Sequence, residues 1–141
     1  MRPLIVPAVC LLVALAPLAS AAGDPESEEA APAPPPGLKL ENLMRQVLEG
    51  VENTEVIVSR VTIPPHTSLP KHWHPGEEFA YLMEGSLTLW QEGKDNVPLQ
   101  AGDAGVVPLE QVHTATTGEK GAKLIVLRVH RVGEPERVLV E

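Results

Sequence analysis

Short runs rich in valine, isoleucine and threonine, separated by glycine and proline, fill the chain from residue 55 onward. The first run, 55–63, ends at Pro64-Pro65. Many short strands at regular spacing are typical of a β-sandwich or a closed barrel. No internal repeat is visible in the 141 residues, so the sequence predicts one all-β domain. The further predicted strands are 79–84, 86–92, 97–100, 104–107, 112–116, 122–130 and 137–140.

The segment before these strands, residues 38–49, allows two interpretations. Its apolar residues recur at helical spacing, which favours a short helix or turn leading into the domain. The alternative is a first strand over residues 45–49, and the sequence does not decide between the two. The apolar residues at helical spacing are Leu40, Leu43, Met44, Val47 and Leu48.

The N-terminal 22 residues have the features of a secretory signal peptide. Arg2 supplies a basic start, residues 4–18 form an apolar run, and residues 19–21 are small, as cleavage sites require. Cleavage after Ala21 and cleavage after Ala22 fit this pattern equally well. The sequence therefore predicts export, either to a periplasm or out of the cell.

An uncleaved membrane anchor is the alternative, because residues 4–22 are about long enough to span a bilayer. Pro7 and Pro17 inside that stretch favour cleavage. The next residues, 23–37, are rich in proline, alanine and glutamate and predict a disordered tether. The predicted organisation is a signal peptide over 1–22, a disordered linker over 23–37 and one domain over 38–141.

The charge of the chain limits its partners. The formal net charge is −8, and loss of the leader removes Arg2 and no acid, which leaves −9. An acidic chain without a basic cluster disfavours nucleic acids and anionic membrane surfaces as partners of the mature protein. The only cysteine, Cys10, lies in the leader, so the domain must be held by its core rather than by disulfides.

Three histidines and one glutamate stand at spacings that suit a metal site. Residues two apart in a β-strand face the same side, so His72 and His74 present both imidazoles to one face. Pro75-Gly76 then breaks the strand, a new strand starts near Glu78, and His113 follows far downstream. Three imidazoles and a carboxylate suit one divalent transition metal: iron, manganese, nickel, copper or zinc.

These residues resemble the two sequence motifs of the cupin superfamily, in particular its small single-domain members. The first motif runs from a His-x-His pair through a glutamate to a glycine. The second contains a glycine, a proline and a histidine at fixed spacing. The matching residues are His72, His74, Glu78, Gly85, Gly102, Pro108 and His113.

Three positions depart from the family pattern. His66 stands where the first motif opens with glycine, Glu110 replaces the glycine after Pro108, and Thr117 replaces the closing asparagine. None of these departures removes a metal ligand. They put the geometry of the turns in question, not the metal site.

The resemblance implies a jelly-roll β-barrel in which the four motif ligands point into the mouth. Glu78 would then be either a ligand or a general base. Its neighbour Glu77 is less favoured, because the family spacing to Gly85 fits Glu78. Ala80 and Leu82 share the Glu78 face and predict a mostly apolar pocket for a small molecule.

Two functions from different classes follow from the resemblance. The first is a metal-dependent enzyme, dioxygenase-like, that acts on a small carbonyl or phenolic compound; isomerases, decarboxylases and lyases also occur in the family. The second is a non-catalytic metal or small-molecule binding module of the cell envelope. Phe79, Tyr81 and Met83 share an apolar outer face, and small cupins commonly pair their sheets, so a homodimer is expected.

The remaining candidate residues receive less specific interpretations. Trp73, between two ligand positions, is predicted to face away from them. His66 is predicted to be a solvated turn residue. Arg60 and Arg128 lie within strands, where an inward guanidinium could hold a substrate carboxylate, but we expect both at the surface. His130 is left without a role.

Overall fold

The computed structural model of the chain describes residues 33–140. Within that range the regular structure consists of eight β-strands and no helix, and the strands form one continuous hydrogen-bonded sheet. The predicted signal peptide lies outside the described residues, as does most of the predicted linker, so their boundaries stay predictions. The strands are β1 Lys39–Val47, β2 Thr54–Ile63, β3 His72–Trp73, β4 Gly76–Gln91, β5 Val97–Gln100, β6 Ala104–Val107, β7 His113–Arg131 and β8 Val138–Leu139.

Two long strands, β4 and β7, organise the sheet. They pair antiparallel along most of their lengths, with Gly76 opposite His130 at one end and Gln91 opposite His113 at the other. β6 and β5 pair with the two halves of β4, while β2 pairs with the second half of β7. The sheet therefore curls on itself, and the predicted jelly-roll barrel is confirmed.

Gly85 divides β4 into its two halves. Across this position the partner residue on β7 jumps from Ala122 to Thr117, which marks an irregularity in the ladder. Gly85 has a φ of 79°, and a Cβ there would lie 2.0 Å from the carbonyl oxygen of Gly121. Only glycine fits that backbone and that approach. The predicted strands 79–84 and 86–92 are consequently one bent strand.

β1 replaces the helix that the apolar spacing of residues 38–48 favoured, and the helix interpretation is wrong. Asn42 pairs with Ser59, but Met44 pairs with Val58, so a β-bulge lies between Asn42 and Met44. The bulge moves the inward-facing positions of β1 from even to odd numbers, since the inward residues of β2 are odd throughout. Of the five apolar residues at helical spacing, only Leu40 and Val47 lie opposite inward residues of β2, and all of β1 is exposed, so the spacing does not mark a buried face.

The barrel interior is aliphatic at one end and polar at the other. β2 and β7 are neighbouring antiparallel strands with an uninterrupted register. Their inward residues are apolar near Ile63 and Ala122 and polar near Glu55 and His130. The buried apolar side chains form one cluster of Val61, Ile63, Leu82, Leu87, Leu89, Val107, Ala122, Leu124 and Val126.

Outward positions of β4 remain uncovered in the isolated chain. Phe79 and Tyr81 are 43% and 51% exposed, whereas Leu82 on the opposite face is 2% exposed. This alternation matches the predicted faces of the strand. No helix among residues 33–140 is long and apolar enough to cross a membrane.

Candidate metal site

The pairing of β3 with β7 and the close start of β4 bring the predicted ligands together. His72 lies on β3 and pairs directly with His113, the first residue of β7. His74 follows β3, and Glu78 is the third residue of β4. Gly76 lets β4 begin close against β7, because a Cβ there would lie 2.1 Å from the carbonyl oxygen of Val129.

The three histidines are buried and their rings are adjacent. The ring centroids of His72 and His113 are 4.3 Å apart, and the His74 centroid is 4.9 Å from His72 and 5.2 Å from His113. One ring nitrogen from each lies within 4.8 Å of the others. Such a group could hold a metal ion, as the spacing predicted.

Each of these rings is oriented by a backbone carbonyl. The Nδ1 atom lies 2.8 Å from the Pro70 oxygen in His72, 2.5 Å from the Glu136 oxygen in His74 and 2.9 Å from the Gln111 oxygen in His113. A carbonyl oxygen only accepts, so each Nδ1–H must donate. A neutral imidazole then has its free lone pair on Nε2, which is the arrangement found around metal-ligating histidines.

The carboxylate of Glu78 lies beside the three histidines, although it is not part of the group whose ligand atoms all lie within 4.8 Å of one another. Its Oε2 lies 3.0 Å from Nε2 of His74, and its Oε1 lies 3.8 Å from Nε2 of His113. The His74 Nε2 is buried and has no properly aligned hydrogen-bond partner. A lone pair facing a carboxylate at that distance is repulsive unless a proton or a metal ion lies between them. The donor set and this unpartnered nitrogen therefore fit a divalent metal.

The protonation states of the group also suit a cation. Burial, with a smaller contribution from His113, lowers the pKa of His72 to about 4, and burial lowers the pKa of His113 as well. Burial alone would raise the pKa of Glu78, but His74, His113 and Arg128 outweigh it and lower that pKa to about 2. At neutral pH the site thus offers the Glu78 carboxylate and the neutral imidazoles of His72 and His113, which are the forms that bind metals.

Arg128 is buried beside the site, and the prediction that it lies at the surface is wrong. Only 2% of the residue is exposed. Its Nη2 donates to Oγ of Ser59 at 2.9 Å, its Nη1 lies 3.3 Å from a carboxylate oxygen of Glu136, and its Nε is 3.9 Å from Glu78 Oε2. Arg60 does lie at the surface, where it pairs with Glu41.

Glu136 links this arginine to the metal site and was missed by sequence analysis. Its carbonyl accepts the His74 Nδ1–H, while its carboxylate contacts Arg128, Asn42 and Arg45. Burial alone would raise the pKa of Glu136, but these three residues hold it below its ordinary value. A contact across 62 residues of chain leaves no local sequence signal.

His130, which had no predicted role, lies in the polar end of the barrel. It is 1% exposed, its Nε2 lies 3.1 Å from the Pro135 oxygen, and its Nδ1 lies 3.4 Å from the carboxylate of Glu55. These contacts hold the segment before β8 against β2 and β7. His130 therefore contributes to the support of the site and not to its ligand set.

Two of the three departures from the family motifs replace glycine at positions where the backbone has a positive φ, which glycine adopts most easily. His66 and Glu110, which replace glycines, both adopt the left-handed region, with φ of 51° and 56°. His66 is exposed at a turn, as predicted. Glu110 donates its backbone N–H to the His74 oxygen at 3.1 Å, and its side chain pairs with Arg131. The turn geometry is therefore retained without glycine, at a conformational cost.

Thr117 takes over the position of the motif asparagine. Its hydroxyl donates to the Pro64 oxygen at 2.6 Å and accepts from the backbone N–H of Thr67 at 3.1 Å. The side chain is 4% exposed. One buried hydroxyl thus fixes the corner that carries the left-handed His66.

A pocket with a cavity volume of about 90 Å³ extends from the metal site into the barrel. His72, His74, Glu78 and His113 line one end of it. The remaining lining is mostly aliphatic, as Ala80 and Leu82 predicted, and includes residues from both halves of β7 and from β1.

Comparison with known proteins agrees with this architecture. Residues 59–128 match the family model described as Cupin domain. The comparison with curated proteins found no match.

Solved structures with the same fold include the DMSP lyase DddQ from Ruegeria pomeroyi, with a TM-score of 0.60 and 22% identity. That alignment covers 73% of this chain and 51% of the lyase, so the chain spans about half the length of that protein. A cupin-like protein from Thermotoga maritima has a TM-score of 0.59 and 23% identity, with 73% of this chain and 75% of the other covered.

An RmlC-like cupin family protein with a double-stranded β-helix fold from Methanocaldococcus jannaschii has a TM-score of 0.56 and 16% identity. The alignment covers 67% of this chain and 81% of that one. Likeness at these identities shows the fold and not the activity. Together with the matched family model and the motif residues, it confirms the resemblance: the chain carries a small cupin-type domain.

Proposed function

We propose that this domain binds one divalent transition metal through His72, His74 and His113, with Glu78 as the fourth group, and uses it in an enzymatic reaction on a small molecule. The observation that supports this most strongly is the orientation of the three imidazoles. Each ring donates its Nδ1–H to a backbone carbonyl, which leaves three Nε2 atoms for a shared cation. This orientation is typical of metal-ligating histidines and is not expected of histidines that only face solvent.

The proposed reaction is dioxygenase-like and acts on a small carbonyl or phenolic compound. Iron, manganese, nickel, copper and zinc all accept this ligand set, and such a metal supplies Lewis-acid or redox chemistry when bound. The chain's own contribution is to exclude bulk water with the aliphatic pocket and to place the Glu78 carboxylate beside the ligands. Glu78 can either complete the ligand set or receive a proton from the substrate.

One observation favours the second candidate, a non-catalytic metal or small-molecule binding module of the cell envelope. The neighbours of Glu78 lower its pKa to about 2. A carboxylate that holds protons so weakly is a poor general base near neutral pH. Metal retention without turnover of any carbonyl or phenolic substrate would favour this module, and metal-dependent turnover would exclude it.

Export and dimerisation belong to the same proposal. Export rests on the leader pattern of residues 1–22 alone. A homodimer is supported by the outward Phe79 and Tyr81 and by the neighbouring Val106, which is 49% exposed. Light scattering of the wild type and of a Phe79→Ser, Tyr81→Ser variant tests this, since a dimer through that face should become monomeric.

The deciding experiment for the metal is elemental analysis of untagged protein purified from its export compartment. The wild type should contain close to one equivalent of a single transition metal, and His113→Ala should contain far less. The His66→Gly variant is the matched control, because His66 is exposed at a turn outside the site. Wild-type protein that neither retains nor rebinds metal after gentle purification would refute the proposal.

A further inference from the structure

The pocket beyond the four metal-site residues combines aliphatic walls with two arginines. Its walls are aliphatic, with Leu69, Leu99 and Ala115 partly buried against the core. None of the described residues that line it is a phenylalanine, tyrosine or tryptophan. Its charged residues apart from Glu78 are Arg128 and Arg137, so the lining carries one net positive charge before any metal is added. This contrasts with the net charge of −8 of the whole chain.

Arg128 supplies a donor that the protein leaves unused. Its two terminal nitrogens are held by Ser59 and Glu136, which fixes the plane of the guanidinium. Its Nε is buried and has no hydrogen-bond partner, and a carboxylate oxygen of Glu78 lies 3.9 Å away. A buried unsatisfied N–H of a charged group is costly unless something binds it. A ligand oxygen that reaches this atom from the pocket would satisfy it.

We propose that the site selects a short aliphatic monocarboxylate, with Arg128 as the residue that determines specificity for the carboxylate. The carboxylate lies towards the imidazoles and the Nε of Arg128, and the hydrocarbon body lies against the leucine-rich walls. This inference rests on the proposed metal-binding function and specifies the substrate class for it. It favours an aliphatic carboxylate over the phenolic alternative, because an aromatic ring finds no aromatic partner among the described lining residues.

The cavity volume sets the length of the hydrocarbon body. About 90 Å³ is clearly smaller than the roughly 150 Å³ of a cavity that accepts benzene. The hydrocarbon body should therefore be smaller than a benzene ring. Butanoate is therefore a suitable probe, and butanamide is its neutral isostere.

Calorimetric titration of the metal-loaded full chain tests the inference. Wild-type protein should bind butanoate more tightly than butanamide and more tightly than benzoate. Arg128→Gln should weaken butanoate binding about tenfold or more, as expected for the loss of a hydrogen bond to a charged group, and should leave butanamide binding unchanged. Arg60→Gln, a change of an exposed arginine on β2, is the matched control and should bind butanoate like the wild type.

A second variant keeps the test valid if Arg128→Gln does not fold. Ala115→Leu fills the aliphatic wall and should weaken hexanoate binding more than acetate binding. Equal binding of butanoate and butanamide by the wild type would overturn the inference, as would unchanged butanoate binding by a folded, metal-loaded Arg128→Gln. Metal uptake without butanoate binding overturns this inference alone, whereas failure to take up metal overturns the proposed function as well.

Discussion

Metal binding should raise the thermal stability of the domain by an amount that can be worked out from its size. A ligand that binds only the folded state at one hundred times its Kd adds about 2.7 kcal/mol to the free energy of unfolding. The unfolding entropy is about 2.1 cal/mol/K per residue, or roughly 0.23 kcal/mol/K for residues 33–140. The expected increase in Tm is therefore about 12 °C.

Removal of one imidazole should abolish most of this increase. His113→Ala removes one of three adjacent rings. At the same metal concentration the Tm of the variant should rise by only a few degrees or not at all. His66→Gly should show the full increase, because His66 is exposed and remote from the cluster. Differential scanning calorimetry of metal-free protein with each of the five candidate metals provides the measurement. Equal increases in the wild type and His113→Ala, or no increase with any metal, would refute the reasoning.

Three further predictions concern the backbone and the titration of the site. His66→Gly should raise the free energy of unfolding by about 0.5–1 kcal/mol in urea titrations, since glycine removes the cost of a φ of 51° but loses more entropy on folding; an unchanged or lower midpoint would contradict the strain argument. Gly76→Ala should prevent folding or metal uptake, because its Cβ would lie 2.1 Å from the Val129 oxygen; a variant with normal circular dichroism and metal content would show that the backbone can move. For the metal-free protein, the pKa of His72 is about 4 when folded and 6.5 ordinarily, so the unfolded chain binds more protons in that window and stability should fall as the pH drops from 6.5 towards 4; His72→Gln should lose less stability over the same range, and equal losses would speak against this assignment.

The chemistry of the site could be predicted from the sequence because it depends on residue types at short, fixed spacings. His72 and His74 share a face through the period of a strand, and Glu78 falls on the inward face of β4 while Glu77 is exposed. His113 required the motif resemblance, because 40 residues lie between it and His72 and periodicity cannot register a pairing over that distance.

The errors have a common physical origin, since each depends on how strands far apart in sequence meet. Residues 39–47 form a strand because they pair with β2, a contact that the apolar spacing within the segment does not report. Arg128 lies in line with Leu124 and Val126, so its inward direction was visible in the sequence. What made burial of its charge possible was the pairing of β7 with β2, which supplies Ser59, and the return of Glu136 to the same place.

The sequence by itself determined the fold class, the residue types of the candidate metal site and the alternation of inner and outer faces, because these follow from residue patterns along the chain. The tertiary structure alone decided which atoms are available for binding. Backbone carbonyls of Pro70, Gln111 and Glu136 set the free nitrogen of each histidine, and the last of these comes from the distant segment before β8. Carbonyl positions depend on the path of the chain and not on side-chain identity, so no residue pattern could have indicated them.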